Sequence, residues 1–198
     1  MKKLGIIICG LVLMMGCERN IYRFTEGSVY GTVYHVSYQS EVDYTVEIRQ
    51  EMERVNQSLS MFNKESVIAR WNRGESERVD SLFVTMYEKA REVYEATGGG
   101  FDITVAPLVN AWGFGFKNEK LPSDGKIDSL LQYVGMDKVQ LEGVRLVKLV
   151  EGVQIDASSI AKGLGVDLVA EFFDREGVQN YMIEIGGEIR VKGESNKQ

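Results

Sequence analysis

The chain has few of the residues from which disulfides and metal centres are built. Of its 198 residues only two are cysteine, Cys9 and Cys17, and one is histidine, His35. Both cysteines lie near the N-terminus, so the rest of the chain has no thiol and no disulfide framework. A single histidine excludes paired histidine ligands within the chain and limits a Ser-His-Asp arrangement, and we interpret it as a side chain on a strand. If a metal binds, oxygen ligands remain, which favours Mg²⁺ over Zn²⁺.

Positive charge is scarce as well. The chain carries 23 lysines and arginines against 29 acidic residues, and no run of basic residues occurs. This argues against nucleic acid as the main partner, because binding to phosphates requires a basic surface. With 44% hydrophobic and 26% charged residues, the composition is that of an ordinary globular protein. The length suits one domain or a piece of a larger one.

The first residues have the pattern of an export signal. Two lysines precede an apolar stretch over residues 4–15 that is too short for a comfortable membrane span. The Gly16-Cys17 pair that follows is similar to a bacterial lipobox, in which a diacylglycerol is attached to the cysteine and cleavage falls before it. The alternative is an ordinary secretory signal with a chance cysteine. We expect residues 1–16 to be a signal peptide and residues 17–25 to be the lipidated cysteine and a tether, so that membrane attachment of the acidic body depends on the lipid.

Strand and helix patterns alternate along the rest of the chain without strict βαβ repetition, which predicts an α+β or mixed α/β fold. Gly31 interrupts a strand pattern over residues 28–38, and this indicates a bulge or a close approach. Residues 103–109 fit a strand or a short helix. The other segments are predicted from apolar spacing and turn signals: helices over 43–59, from 66, and over 80–96, 127–134 and 158–173; hairpins over 138–150 and 181–191; and the end of a strand at 154–156.

The segment Gly98–Gly115 is the most informative part of the chain. It combines glycines, which let backbone approach a ligand closely, with aromatic side chains and a fixed acceptor, Asp102. A planar ligand with polar edges would suit it. The simpler interpretation is a glycine-ended helix that runs into a strand and a turn.

Two further segments could contact an anion. In the first, an apolar strand ends at Asp156 and a helix begins two or three residues later, so that unpaired N–H groups and Lys162 could face a phosphate. Equally, Asp156 or Ser158 caps the helix and Lys162 is solvated. In the second, Gly186-Gly187 could present backbone amides to a phosphate, although a hairpin turn is the favoured explanation.

Taken together, these segments resemble the ApbE family, the FAD:protein FMN transferases. The match is ordered along nearly all of the chain after the signal. It comprises Gly31-Thr32-Val33-Tyr34; Leu59-Ser60-Met61-Phe62 with Ser66, Ile68 and Asn72; Gly100-Phe101-Asp102-Ile103-Thr104-Val105 with Pro107, Leu108 and Trp112-Gly113-Phe114-Gly115; Ile155-Asp156 with Ala161-Lys162-Gly163 and Asp167; and Ile185-Gly186-Gly187-Glu188-Ile189-Arg190.

The resemblance implies a site and a reaction. It implies that FAD is bound with Mg²⁺ and cut at its pyrophosphate, that FMN is transferred to a Thr or Ser hydroxyl of a membrane redox subunit, and that AMP leaves. Some members instead hydrolyse FAD. By motif, the FAD-binding positions are Tyr30 (usually methionine), Phe62, Gly100, Phe101, Asp102, Asp156 and Lys162. The last two are also the expected catalytic residues, and Ser159 stands where a backbone carbonyl ligates Mg²⁺.

The resemblance also implies a location and an extent. We expect a lipid-anchored protein on the bacterial inner membrane that faces the periplasm, with a T-fold-like, two-layer mixed sheet and helices over residues 26–198. The family's later His-x-x-Asp/Asn-Pro and Asp-Ala-x-x-Thr segments do not occur in this sequence, so we expect the N-terminal part of such a domain and weak Mg²⁺ binding. The hypotheses are a transferase, a flavin-nucleotide-binding lipoprotein without turnover, and an inactive remnant.

Overall fold

A computed structural model of the chain describes residues 21–114 and 121–194. The predicted signal peptide, Cys17 and Gly115 lie outside the described residues. No helix within the described ranges is long and apolar enough to cross a membrane. The strands are β1 Tyr22–Val29, β2 Thr32–Gln39, β3 Val139–Glu142, β4 Arg145–Lys148, β5 Tyr181–Ile185 and β6 Glu188–Lys192; the helices are α1 Thr45–Leu59, α2 Val67–Asn72, α3 Ser81–Ala96, α4 Ala106–Ala111, α5 Asp124–Leu131 and α6 Ser158–Arg175, with a 3₁₀ turn at Met136–Lys138.

A four-stranded sheet in the order β1-β2-β5-β6 forms one layer of the molecule. The prediction of an α+β fold is confirmed. The expected mixed sheet is not observed, since every pairing between the named strands is antiparallel. Alternate residues of β2 and β5 are buried, and the register places Tyr34 opposite Ile185. Helices α1 and α6 cover this face, where Phe173 lies 4.9 Å from the Tyr38 ring, so the sheet and these two helices share one core.

The other face of the sheet carries His35, which is exposed on β2 as the strand prediction required. Its Nδ1 lies 2.7 Å from Glu184 Oε2 on the neighbouring strand. His35 is thus exposed on the outer surface of the sheet, as its place on β2 requires.

A second core lies between α1, α2, α3 and the β3–β4 hairpin. Two of its helices begin at side chains that accept from the first turn, as helix N-termini require. Ser66 accepts from the Ala69 amide at α2, and Asp80 accepts from the Phe83 amide at α3. These caps fix where α2 and α3 start relative to the core.

Three local predictions are corrected by the structure. The tether expected up to residue 25 ends earlier, because β1 begins at Tyr22. Gly31 is neither a bulge nor inside a strand; with Tyr30 it forms the two-residue turn between β1 and β2, both at positive φ (52° and 75°), as a twisted hairpin favours. The strand expected to end at Asp156 is reduced to one parallel bridge between Val105 and Gln154.

Candidate functional site

The first two turns of α6 border a small cavity together with the β1–β2 turn, the end of α1 and the α1–α2 loop. Its volume is about 200 Å³. Three predicted site residues line it, namely Tyr30 from the β1–β2 turn, Phe62 from the α1–α2 loop and Lys162 from α6. The remaining lining residues are Val55, Asn56, Leu59, Ser60, Met61, Ser158 and Ala161. The fold therefore brings together residues that are up to 132 positions apart in the chain.

Tyr30 forms a rigid part of the cavity wall. Its hydroxyl donates to the Met52 carbonyl oxygen of α1 at 2.6 Å, and burial raises the pKa of this phenol well above its usual value. The ring packs so closely on Gly165 that a Cβ there would lie 3.0 Å from it. Tyr30 therefore presents a fixed, neutral aromatic surface at the position where the family usually has methionine.

Phe62 is held by its loop while its ring remains 72% exposed. Ser60 Oγ accepts from the Phe62 and Asn63 amides at 3.3 and 3.1 Å, which closes a tight turn. The buried Ser66 hydroxyl donates to the Ser60 carbonyl oxygen at 2.7 Å and anchors the turn to α2. An exposed aromatic ring on a restrained backbone is suited to stacking on a planar ligand.

Lys162 carries the positive charge of the cavity and already contacts the β5–β6 turn. Its ammonium donates to the Gly186 carbonyl oxygen at 3.0 Å and lies 3.9 Å from Glu188 Oε1. The turn has positive φ at Gly186 and Gly187 (56° and 94°), so the hairpin interpretation of this glycine pair is correct. The Gly186 carbonyl oxygen of this turn fixes the direction of the Lys162 side chain at the cavity.

Asp156 stands two residues before Ser158 of the cavity lining, but is not itself among the described residues that line the cavity. One carboxylate oxygen accepts from the Ser158 amide at 2.7 Å, while Ala157, the residue at the helix boundary, makes no side-chain cap. The expectation that Asp156 or Ser158 would satisfy this end of the helix is thus met by Asp156. Since a helix N-terminus attracts negative charge, Asp156, the first turn of α6 and Lys162 together form a polar edge on one side of the cavity.

The Gly100–Phe101–Asp102 segment is joined to this edge but is not among the described residues that line the cavity. The Asp156 amide donates to the Ile103 carbonyl oxygen at 2.8 Å. Asp102 Oδ1 accepts from the Thr104 amide and hydroxyl at 2.7 and 2.6 Å, so much of its hydrogen bonding is to its own turn. The glycines end α3, as the simpler interpretation held, and of the two alternatives for residues 103–109 the structure shows the short helix, α4.

Ser159 is not among the described residues that line the cavity and borders a second depression instead. Its surroundings are an open groove of about 580 Å³ between α3 and α6, with acidic residues along its rim. Within residues 21–114 and 121–194, no three His, Cys, Asp or Glu side chains are grouped so that they could hold a metal ion. The described side chains therefore do not form a donor set for Mg²⁺ by themselves.

Two residues that contribute to the site were not predicted as ligand-binding residues from the sequence. Ser158 lines the cavity beside Ala161, and Asn72 joins its carboxamide to the backbone of Ile155, the residue before Asp156. Asn72 belongs to the matched family motifs, which indicated that the residue matters. Its partner, Ile155, lies 83 residues away, and no local pattern indicates that contact.

Comparison with known proteins places this fold in one family. The ApbE family model matches residues 30–198, so the chain belongs to the ApbE family. Among characterised relatives, the FAD:protein FMN transferase of Vibrio cholerae is 34% identical over 205 residues and that of Haemophilus influenzae is 36% identical over 216 residues. Each alignment covers 98% of this chain, but only 61% and 62% of the respective relative.

Solved structures give the same assignment. The flavin transferase ApbE from Vibrio cholerae superposes with a TM-score of 0.84 at 34% identity, covering 88% of this chain and 60% of that chain. The apo form of the Pseudomonas stutzeri flavinyl transferase ApbE gives a TM-score of 0.83 at 29% identity, covering 89% and 62%. The chain thus spans about three fifths of the length of these relatives.

Proposed function

We propose that this chain acts in FAD:protein FMN transfer and contributes the part of the enzyme that binds the flavin nucleotide. The observation that carries the proposal is the convergence of Tyr30, Phe62 and Lys162 on one cavity at the start of α6. An aromatic surface next to a positively charged helix end is what a flavin dinucleotide requires, since it joins flat rings to a pyrophosphate. Membership of the ApbE family supports the same activity.

In this proposal the polar edge of the cavity faces the pyrophosphate. Lys162 and the first-turn amides of α6 neutralise phosphate charge, which is the main contribution a protein makes to phosphoryl transfer. Asp156 accepts a hydrogen bond from a hydroxyl or N–H group of the ligand, and the Gly100–Asp102 segment contacts FAD beyond the cavity. Phe62 stacks on a ring of the nucleotide.

The reaction is a substitution at the phosphorus of the FMN half. A Thr or Ser hydroxyl oxygen of an acceptor protein forms the new phosphoester bond, the bond to the AMP phosphate breaks, and the hydroxyl proton is lost as AMP leaves. We further propose that the acceptor is a subunit of a membrane redox complex. Hydrolysis, in which water replaces the hydroxyl, would give FMN and AMP from the same site.

A requirement for Mg²⁺ is part of the proposal because the pyrophosphate itself supplies hard oxygen ligands. When bound, the ion would withdraw charge from the pyrophosphate, and Ser159 is the position expected to contribute a carbonyl oxygen. Addition of EDTA should abolish turnover and excess Mg²⁺ should restore it. Turnover that is unaffected by EDTA would contradict this requirement.

We also propose attachment to the periplasmic face of the bacterial inner membrane through a lipid on Cys17. Gly16 before Cys17, after a short apolar stretch, supports this proposal. The protein should fractionate with membranes when expressed with residues 1–16, and Cys17→Ser should release it or leave it unprocessed. A labelled fatty acid should be incorporated into the wild type and not into Cys17→Ser, and equal incorporation into both forms would contradict lipid attachment.

The activity is tested with FAD, Mg²⁺ and an acceptor peptide that contains a threonine. We expect AMP release and a peptide that gains the mass of an FMN phosphoester in mass spectrometry. Lys162→Met should lose both products, and a peptide with alanine in place of threonine should gain no mass. Tight FAD binding without AMP release would instead support a binding lipoprotein, and absence of binding by folded protein would support an inactive remnant.

A further inference from the structure

Asn72, the last residue of α2, makes a paired contact with the backbone just before the polar edge of the cavity. Its Nδ2 donates to the Ile155 carbonyl oxygen at 2.8 Å, and its Oδ1 accepts from the Ile155 amide at 2.8 Å. The Asn72 carboxamide therefore satisfies both the amide and the carbonyl group of the Ile155 backbone. Ile155 is fully buried, so no water is available there to replace either bond.

The same carboxamide lies beside the loop that carries the stacking ring. Asn72 Nδ2 is 3.9 Å from the sulfur of Met61, the neighbour of Phe62 and a residue of the cavity lining. Asn72 thus touches two parts of the site at once: the α1–α2 loop on one side and the approach to α6 on the other. Its side chain sets the distance between them.

The end of α2 that bears Asn72 is itself restrained. The Lys148 ammonium donates to the Asn72 carbonyl oxygen at 3.1 Å and lies 4.5 Å from the ring centroid of Trp71. The Trp71 indole donates to the Leu146 carbonyl oxygen at 2.7 Å. Because these contacts restrain the end of α2, the Asn72 side chain moves little and can keep the Ile155 backbone in position.

We propose that Asn72 is a positioning residue of the flavin-nucleotide site: by holding the Ile155 backbone it orients the Asp156 carboxylate and the first turn of α6. This inference deepens the proposed function and rests on it. Asp156 follows Ile155 directly and bonds to the Ser158 amide at 2.7 Å. A shift at Ile155 would therefore move the carboxylate and the helix end together, although Asn72 is not among the residues that line the cavity.

The test compares FAD affinity of the full chain in four forms. Asn72→Leu removes both bonds at similar volume and without adding charge, and Asn72→Ser is a milder second variant. Tyr38→Phe is the matched control, since it also removes two hydrogen bonds of a buried side chain but lies in the core between the sheet, α1 and α6, away from Asn72. We expect FAD affinity, measured by flavin fluorescence, to fall about tenfold in the Asn72 variants and by less than about twofold in Tyr38→Phe, with comparable losses in melting temperature.

A double-mutant cycle separates positioning from general stability. If Asn72 acts through Asp156, then Asn72→Leu should cost about tenfold in the wild-type background but less than about twofold in an Asp156→Ala background. Equal costs in both backgrounds would overturn the inference. So would an Asn72 variant that loses melting temperature yet binds FAD as the wild type does.

Amide hydrogen exchange of the wild-type protein tests the contact without relying on a variant that folds. The Ile155 amide should exchange slowly before any ligand is added, and faster in Asn72→Ser. Rapid exchange at Ile155 in the folded wild-type chain would overturn the inference. If the wild type fails to bind FAD, the proposed function fails, and the exchange rate of Ile155 still decides whether Asn72 holds this backbone.

Discussion

The two sides of the site are held in different ways. Around the cavity, Lys162 and Tyr30 are fixed by partners 24 and 22 residues away in the chain, and the Ile155 backbone by a partner 83 residues away. In the Gly98–Phe114 segment, the side chain of Asp102 bonds to Thr104, and the Phe101 amide donates to the Thr97 hydroxyl, so both contacts lie within four residues. Longer contacts tie this segment to its neighbours, because Thr104 Oγ1 accepts from the Gly135 amide and Asn110 bonds to Gln154. The side chains around the cavity are thus positioned by distant elements, whereas Asp102, the polar group of the glycine-rich segment, is positioned by its own turn.

The difference explains why the glycine-rich segment alone was ambiguous. Its local hydrogen bonds are those of an ordinary helix end and turn. It becomes part of a site through the bond between the Asp156 amide and the Ile103 carbonyl oxygen, which joins it to the polar edge. If this comparison is right, substitutions around the cavity should affect FAD binding more than substitutions in the segment.

The largest effect is expected for Lys162→Met. Loss of a charge-assisted hydrogen bond to a phosphate costs about 2 kcal/mol, which corresponds to about thirtyfold in FAD affinity. The control is Lys162→Arg, which keeps the charge and should lose less. Isothermal titration calorimetry measures the FAD affinity of both variants. Equal affinity of Lys162→Met and wild type would show that the cavity does not bind FAD.

A smaller effect should distinguish the two aspartates. Asp156→Ala should weaken FAD binding about tenfold, because the carboxylate both contacts the ligand and holds the Ser158 amide. Asp102→Ala should weaken binding less, about threefold, and should also lower the free energy of unfolding by about 1 kcal/mol through its lost bonds to Thr104. Fluorescence titration and urea unfolding give the two values, and a reversed order of affinities would contradict the comparison.

Two exposed phenylalanines provide a matched pair. Phe62 borders the cavity and Phe114 ends the described part of the glycine-rich segment; their exposed fractions are 72% and 82%. Loss of one stacking contact is worth about 1 kcal/mol, so Phe62→Ala should reduce FAD affinity about fivefold, while Phe114→Ala leaves it nearly unchanged. Equal losses in flavin fluorescence titrations would place both rings against the ligand.

The smallest effect concerns the turn that receives Lys162. Hydrogen bonds from His35 and from the Gly187 amide hold the pKa of Glu184 below its ordinary value. The stability this carboxylate contributes is therefore present above its unfolded pKa and is lost as pH falls through the folded one. Glu184→Gln should make stability less dependent on pH below about 4.5, with an acid-unfolding midpoint shifted by less than about half a unit. Circular dichroism during acid titration checks it, and an unchanged acid limb would show that Glu184 does not hold the turn.

How far the sequence predicts this molecule depends on the range of each contact. Apolar spacing and caps locate α1 and α3 to within two residues at each end, because these signals are local. The start of β1 was missed since residues 22–25 pair with β2 and carry no clear pattern of their own. Family motifs indicate most of the cavity residues, but the role of Asn72 arises from a contact across 83 residues, which no spacing predicts.

Hydrogen exchange of the wild-type chain with and without FAD tests the central claim most directly. FAD should slow amide exchange in the β1–β2 turn around Tyr30, in the loop around Phe62 and in the first two turns of α6. Exchange on the outer sheet face around His35 should not change comparably. Protection confined to the outer sheet face, or no protection of a folded chain at saturating FAD, would contradict it.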